Sequence, residues 1–227
     1  MPQREIRAIC FDIGGVLVRM PRGVLAAELA ELLDAHVEHV RDLLIEHAKT
    51  RRTSTVELAT ILAAACGRPQ AADAVADRLL LRTADMADPP LYPDAIPTLE
   101  LLAGLGFRIC LLSNAIGPDP DTWPARPPYF ARAEVVLHSW QIGACKPHLA
   151  AFRAIESAMD LAPQQLLNVG DSARFDIDGA LARGLVCHPP RPQQRHPGAP
   201  RRRPHRGPDR SSASAELKGP VRDQHPR

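Results

Sequence analysis

Five short apolar runs punctuate the chain: IRAICF (6–11), FRICLLS (107–113), EVVLHS (134–139), LLNVG (166–170) and GLVCH (184–188). Their apolar residues are consecutive rather than alternating, which is the pattern of strands buried on both faces. Stretches with helical spacing separate them, as in Asp94-Ala95-Ile96-Pro97 leading through Leu99, Leu102 and Leu105 to Gly106, and in PHLAAFRAIESAM and FDIDGALARG. Strands alternating with helices of this length predict an α/β chain: a Rossmann-like parallel sheet with helices on both faces. In such a sheet, ligands gather at the carboxyl ends of the strands.

One stretch breaks the alternation. From about residue 23 to residue 86 no strand candidate occurs. Leu25, Leu29, Leu32 and Leu33, then Val37, Val40 and Leu44, recur at helical spacing, and Ser54-Thr55-Val56-Glu57 is a capping box that opens TVELATILAAAC before Gly67. This block predicts a small helical cap, residues 19–89, inserted after the first strand into a core built from 1–18 and 90–187.

The charge of the chain divides as well. Residues 188–227 hold 10 Lys+Arg, 3 Asp+Glu, 9 prolines and no Phe, Trp or Tyr, which leaves 18 basic and 23 acidic residues in 1–187. A stretch so poor in apolar side chains cannot offset its ordering entropy, so a disordered Pro/Arg-rich tail is expected from His188. Arg201-Arg202-Arg203 and Arg206 could meet phosphates, but without an aromatic or a periodicity nucleic-acid binding is not expected. The abrupt change also fits an altered reading frame, with the sheet edge beyond Cys187 incomplete.

No apolar run reaches the roughly 18–20 residues of a spanning helix, and the start is a poor signal peptide. The five cysteines are odd in number and scattered, so reduced thiols and a cytoplasmic location are expected.

Polar residues then mark the strand ends. The first run stops at Asp12, the second at Ser113-Asn114, and the fourth at Asp171-Ser172 with Asp176 beyond. Lys146 stands in a Gly-Ala-Cys-Lys-Pro loop. Singly, each has a plain reading: a turn after a strand, a helix cap, a surface lysine. Together, carboxylates, a hydroxyl and an ammonium at neighbouring strand ends suit a hard cation and an anion. Asp12 and Asp171 offer oxygen ligands for Mg²⁺, while Ser113, backbone N–H groups and Lys146 offer donors to a phosphate. Asp12 could also attack phosphorus.

Phe11-Asp12-Ile13-Gly14-Gly15-Val16-Leu17, Leu112-Ser113-Asn114, Lys146-Pro147 and Val169-Gly170-Asp171-Ser172…Asp176 resemble, in order, the four motifs of the haloacid dehalogenase superfamily. The helical block resembles that superfamily's small cap. The Gly-Gly-Val-Leu form and the Trp123…Lys146-Pro147 stretch look closest to the branch of bacterial sugar-phosphate phosphatases and the amino-terminal domain of epoxide hydrolases. The resemblance implies a Mg²⁺-dependent phosphatase acting on a small phosphorylated metabolite, a sugar phosphate being one candidate, through an aspartyl-phosphate. Asp12 would be nucleophile and metal ligand. Asp171 would be a second ligand, and Asp176 a ligand or an anchor behind one. Ser113 and Asn114 would hold the phosphoryl group, and Lys146 would bridge it to Asp12.

One position departs from the pattern. Where the superfamily usually places a second Asp, whose carbonyl binds metal and whose side chain is the general acid/base, this chain has Gly14. The carbonyl remains and the proton donor is gone. Two alternatives stay open: hydrolysis of a 2-haloacid through an ester on Asp12, which Asp171 argues against, and a catalytically impaired relative that binds without turnover.

Trp123, Tyr129 and Phe130 could line a pocket or anchor a proline-rich loop. His36, Glu38 and His39 read as a solvated helix face rather than a metal site. Substrate identity and oligomeric state are not readable from these residues.

Overall fold

In the computed structural model the described residues are 5–20, 23–85, 90–117 and 127–188. The expected tail beyond His188 lies outside them, as does Trp123. Five strands form one parallel sheet: β1 (Ala8–Phe11), β2 (Arg108–Ser113), β3 (Val135–His138), β4 (Leu166–Val169) and β5 (Val186–His188). Their order across the sheet is β3-β2-β1-β4-β5. β1 is central, and the direction of strand addition reverses between it and β4. That reversal opens a crevice at the carboxyl ends, the usual ligand position in such sheets.

All four residues of β1 are buried, alternately to the two faces. Ala8 and Cys10 pack with Cys110, Leu112, Phe152, Ile155, Met159 and Ala180. Those partners bring in α7 (Leu149–Met159) and α8 (Gly179–Arg183), α6 (Ser139–Ile142) being the short helix directly after β3. Ile9 and Phe11 point the other way, with Ile109 and Leu111, onto Ala95 and Leu99 of α5 (Ala95–Gly104) and onto Tyr129. The apolar runs thus behave as two-faced strands, and the α/β expectation holds. Cys10 and Cys110 are buried free thiols facing each other in register.

Between β1 and β2 the chain is helical: α1 (Val24–Leu33), α2 (Val37–Leu44) running into a π-helical turn (Ile45–Lys49), α3 (Thr55–Ala65) and α4 (Ala72–Asp85). They enclose their own core of Leu29, Leu33, Val40, Leu44, Leu58, Leu62 and Val75. The Ser54 hydroxyl caps α3 by accepting from the Glu57 N–H at 3.3 Å, as the capping box predicts. The two strands of chain that join these helices to the sheet run side by side. Arg19 N–H donates to Pro90 at 2.7 Å, and Tyr92 N–H donates to Leu17 at 2.9 Å.

Two local expectations shift. Pro147 lies ahead of α7 rather than opening it; the first helical residue is Leu149, and the His148 ring accepts from the Ala150 N–H at 3.2 Å. Tyr129 is buried in the sheet core with Phe130 edge-on to it at 4.9 Å, so this pair anchors the loop before β3. No helix among the described residues is long and apolar enough to cross a membrane.

Candidate active site

Asp12 is the residue after β1, and its N–H donates to Val169 of β4 at 2.9 Å. It therefore continues the central ladder into the crevice. Lys146 is 3% exposed, which removes the surface-lysine reading. Its Nζ lies 2.9 Å from Asp12 Oδ1 and 2.6 Å from Asp176 Oδ1. Asp176 is itself almost fully buried. Breaking such a buried, hydrogen-bonded group of charges by removing one member leaves the others uncompensated, which is costly.

The position of Lys146 comes from its main chain. The Asn114 amide donates to the Lys146 carbonyl at 2.9 Å, and its oxygen accepts from the Lys146 N–H at 2.8 Å. Asn114 thus clamps the lysine loop to the end of β2. Its side chain is committed to that task, and what it can offer a phosphate is its backbone N–H. Ser113 ends β2, beside the register partner Phe11↔Leu111 that carries the sheet to Asp12.

Asp176 works on two sides at once. Its Oδ2 accepts from the Ser172 N–H at 3.0 Å, while the Ser172 hydroxyl accepts from the Phe175 N–H at 3.2 Å. This reciprocal cap holds the turn (Ala173–Asp178) that follows β4, so Asp176 is both a capping residue and the anchor of Lys146. Asn168, buried in β4, donates to the Asp176 carbonyl at 2.9 Å. Sequence reasoning passed over Asn168, although a lone amide inside the apolar run LLNVG was the available signal.

Two glycines let the carboxylates come this close. Gly15 has φ +86°, and a Cβ there would stand 2.3 Å from Asp171 Oδ2. A Cβ on Gly170 would stand 2.2 Å from the Asp176 Cβ. Any side chain at either position displaces an acid. By contrast, a Cβ on Gly14 meets only the Met20 sulfur at 3.7 Å, an ordinary contact.

Asp12, Asp171 and Asp176 each offer a ligand atom within 4.8 Å of the other two, the one such group among the described residues. His36, Glu38 and His39 form none. Burial pushes the Asp12 carboxyl above its ordinary range; the Lys146 ammonium opposes this and the Asp176 carboxylate adds to it. Burial works against the Lys146 charge, but Asp12 and Asp176 outweigh it and hold the ammonium above its ordinary value. Three carboxylates around one ammonium leave an excess of negative charge in a buried site.

A family model of haloacid dehalogenase-like hydrolases matches residues 6–184. The chain belongs to that family. Among its relatives, a phosphoglycolate phosphatase of Escherichia coli O157:H7 is 32% identical over 208 residues, covering 79% of each chain. A haloacid dehalogenase family enzyme from Bacteroides thetaiotaomicron has the same fold, with a TM-score of 0.60 at 15% identity over 85% of this chain and 97% of that one. So does a 2-haloacid dehalogenase from Pseudomonas syringae pv. Tomato, with a TM-score of 0.55 at 22% identity over 80% and 85%. As a haloacid dehalogenase-like hydrolase, the chain has its four motif segments converging on one crevice. Ser113 and Asn114 follow from β2 on one side of Asp12, Asp171 and Asp176 follow β4 on the other, and the Lys146 ammonium reaches both Asp12 and Asp176.

Proposed function

We propose that this hydrolase is a Mg²⁺-dependent phosphatase that cleaves a small phosphorylated metabolite through an aspartyl-phosphate on Asp12. The observation that carries the reading is the buried Lys146 ammonium, 2.9 Å from the Asp12 carboxylate and anchored from behind by Asp176. A dehalogenase would need no third carboxylate in the crevice, and here Asp171 lies within reach of the other two. The relatives at about 30% identity are phosphoglycolate phosphatases, which supports a phosphate ester as substrate.

The residues fit a magnesium ion. Their donors are hard carboxylate oxygens, their excess negative charge matches a divalent cation, and the backbone of Gly15 lies against Asp171 as a cradle that a Cβ would fill. Asp12, Asp171, Asp176 and the Gly14 carbonyl would hold it. Bound there, it would neutralise charge between an anionic nucleophile and an anionic phosphoryl group.

The protein's own groups do the rest. Lys146 holds one Asp12 oxygen and supplies positive charge where the phosphoryl oxygens gather. Ser113 and the Asn114 N–H orient those oxygens. The other Asp12 oxygen attacks phosphorus, the ester P–O bond breaks, and the leaving oxygen takes a proton from solvent because Gly14 carries no acid. Water then attacks phosphorus, releases phosphate and restores Asp12.

The test is hydrolysis of p-nitrophenyl phosphate by the purified chain. Activity should require Mg²⁺, vanish with EDTA, return on adding Mg²⁺, and fall roughly 10⁴-fold or more in Asp12→Asn, in line with loss of a catalytic nucleophile. Turnover indifferent to EDTA overturns the metal reading. No turnover of any phosphate ester favours the impaired-relative reading that Gly14 raises.

A further inference from the structure

Asn168 is an amide in a strand that is otherwise apolar, LLNV, and it is 2% exposed. Burying an amide is costly unless it is hydrogen-bonded, and an apolar side chain would fill the place without that cost. The bond it makes therefore shows what the amide is for. Its Nδ2 donates at 2.9 Å to the Asp176 carbonyl, eight residues further on and outside the sheet. Asp176 is the residue that anchors Lys146 beside Asp12.

Register explains how the bond forms. Cys110, Cys10, Asn168 and Cys187 are paired across β2, β1, β4 and β5 as one row. Paired side chains share a face, and Cys10, Cys110 and Cys187 place this row on the face of α7 and α8. Two consecutive carbonyls of the turn after β4 are received by the row. Asn168 takes Asp176, and the Cys187 thiol donates to Ile177 at 3.9 Å. That turn (Ala173–Asp178) is π-helical, a form that recurs at functional sites. At its far end a Cβ on Gly179 would stand 2.6 Å from the Pro147 carbonyl oxygen and 2.7 Å from the Phe152 ring. The turn is thus tied to the sheet at its middle and pressed against the lysine loop at its end.

We propose that Asn168 is a positioning residue: by holding the Asp176 main chain to β4, it keeps the Lys146 ammonium in place against Asp12. The Asp176 carboxylate spans Lys146 Nζ at 2.6 Å and the Ser172 N–H at 3.0 Å. Ser172 belongs to the cap of the same turn, so its bond moves with the turn. The Asn168 bond instead crosses to the strand beside β1, and so fixes the distance between the turn and Asp12. This rests on the phosphatase reading and adds to it a residue that acts only through another.

The experiment measures p-nitrophenyl phosphate hydrolysis by Asn168→Leu, which keeps the branching of the side chain and removes its donor. A displaced ammonium weakens the transition state more than binding, so kcat should fall about 10- to 100-fold while KM changes less than about 3-fold. Asn168→His carries an N–H the same number of bonds from Cβ and should recover most of the loss. Cys187→Ala is the control: it frees the neighbouring carbonyl of the same turn, and kcat should stay within about 2-fold, since the Asp176 carbonyl remains held. Asn168→Ser, one bond shorter, serves if Asn168→Leu does not fold. A folded variant with kcat within about 2-fold of native, or equal losses in Asn168→Leu and Cys187→Ala, overturns the proposal. A second readout needs neither metal nor turnover. The factor by which Asn168→Leu raises the unfolding constant in urea should differ at least about 2-fold between the native chain and Lys146→Met, because members of one hydrogen-bonded network couple. Lys146→Gln serves if Lys146→Met does not fold, and equal factors overturn the proposal. If the native chain hydrolyses no phosphate ester, the phosphatase reading fails, and the urea cycle alone decides whether Asn168 holds the lysine.

Discussion

Asp176 Oδ1 lies 2.6 Å from Lys146 Nζ, inside a site where the aspartate is 1% and the lysine 3% exposed. The carboxylate that orients the lysine comes from the turn after β4, and the lysine from a loop clamped to the end of β2. The pair therefore bridges the crevice on either side of Asp12, and several measurable consequences depend on it.

Lys146→Met removes the ammonium that lies between the Asp12 and Asp176 carboxylates. We expect a loss of about 3–5 kcal/mol in urea unfolding at neutral pH without metal, the range for breaking a buried ion pair. Phosphatase activity should fall with it. Saturating Mg²⁺ should recover part of the stability, because a ligand that binds only the folded state adds about 2.7 kcal/mol at 100 times its Kd. A loss under 1 kcal/mol, within the range of an exposed pair, would contradict the buried clamp.

Gly170→Ala puts a Cβ 2.2 Å from the Asp176 Cβ. Overpacking of this kind costs about 1–3 kcal/mol, and a shift of Asp176 on the order of 1 Å should cost about 10²-fold in kcat/KM. Gly104→Ala is the control. A Cβ there meets nothing within 4 Å, and in α5 it should stabilise by roughly 0.5–1 kcal/mol without changing turnover. Equal behaviour of the two variants would refute the close-approach account.

Gly14→Asp restores a carboxyl where the backbone has room for one. A general acid contributes about 10²–10⁴-fold, and most where the leaving group is a poor one. Turnover of an alkyl phosphate should therefore rise relative to p-nitrophenyl phosphate. A lower or unchanged ratio would remove the missing proton donor as the explanation of Gly14.

His138, at the end of β3, is 8% exposed, and its buried Nδ1 has no hydrogen-bond partner among the described residues. Burial lowers its pKa from 6.5 to about 4. The unfolded chain then binds a proton before the folded one does. Stability should be complete above about pH 6.5, fall as the pH drops towards 4 and level off below, by about 3 kcal/mol in all. His138→Phe keeps a ring beside Phe130 and Trp140 but cannot titrate. The difference in urea stability between the two proteins should change with pH in that window; parallel curves would count against a buried neutral histidine.

Much of this site is legible in the order of residues. A strand buried on both faces needs consecutive apolar side chains, and the residue that ends such a run must meet water or a ligand. That is why Asp12, Ser113 and Asp171 could be named from IRAICF, FRICLLS and LLNVG. The roles of Asn114 and Asp176 were less visible. From the sequence both read as caps or ligands; in the fold both hydrogen-bond to Lys146 and position it. A hydrogen bond to a main chain 32 residues away leaves no local pattern.

The residue order by itself determined the strands, the helical insertion between the first two, and the acidic and polar groups at the strand ends, because burial on two faces and helical periodicity are properties of neighbouring residues. Only the tertiary structure decided that β1 lies between β2 and β4, and hence that Asp12 and Asp171 share one crevice. It alone turned Lys146 from a loop residue into a buried counter-ion. These are distances between segments far apart in the chain, set by which faces pack together, and no local periodicity encodes them.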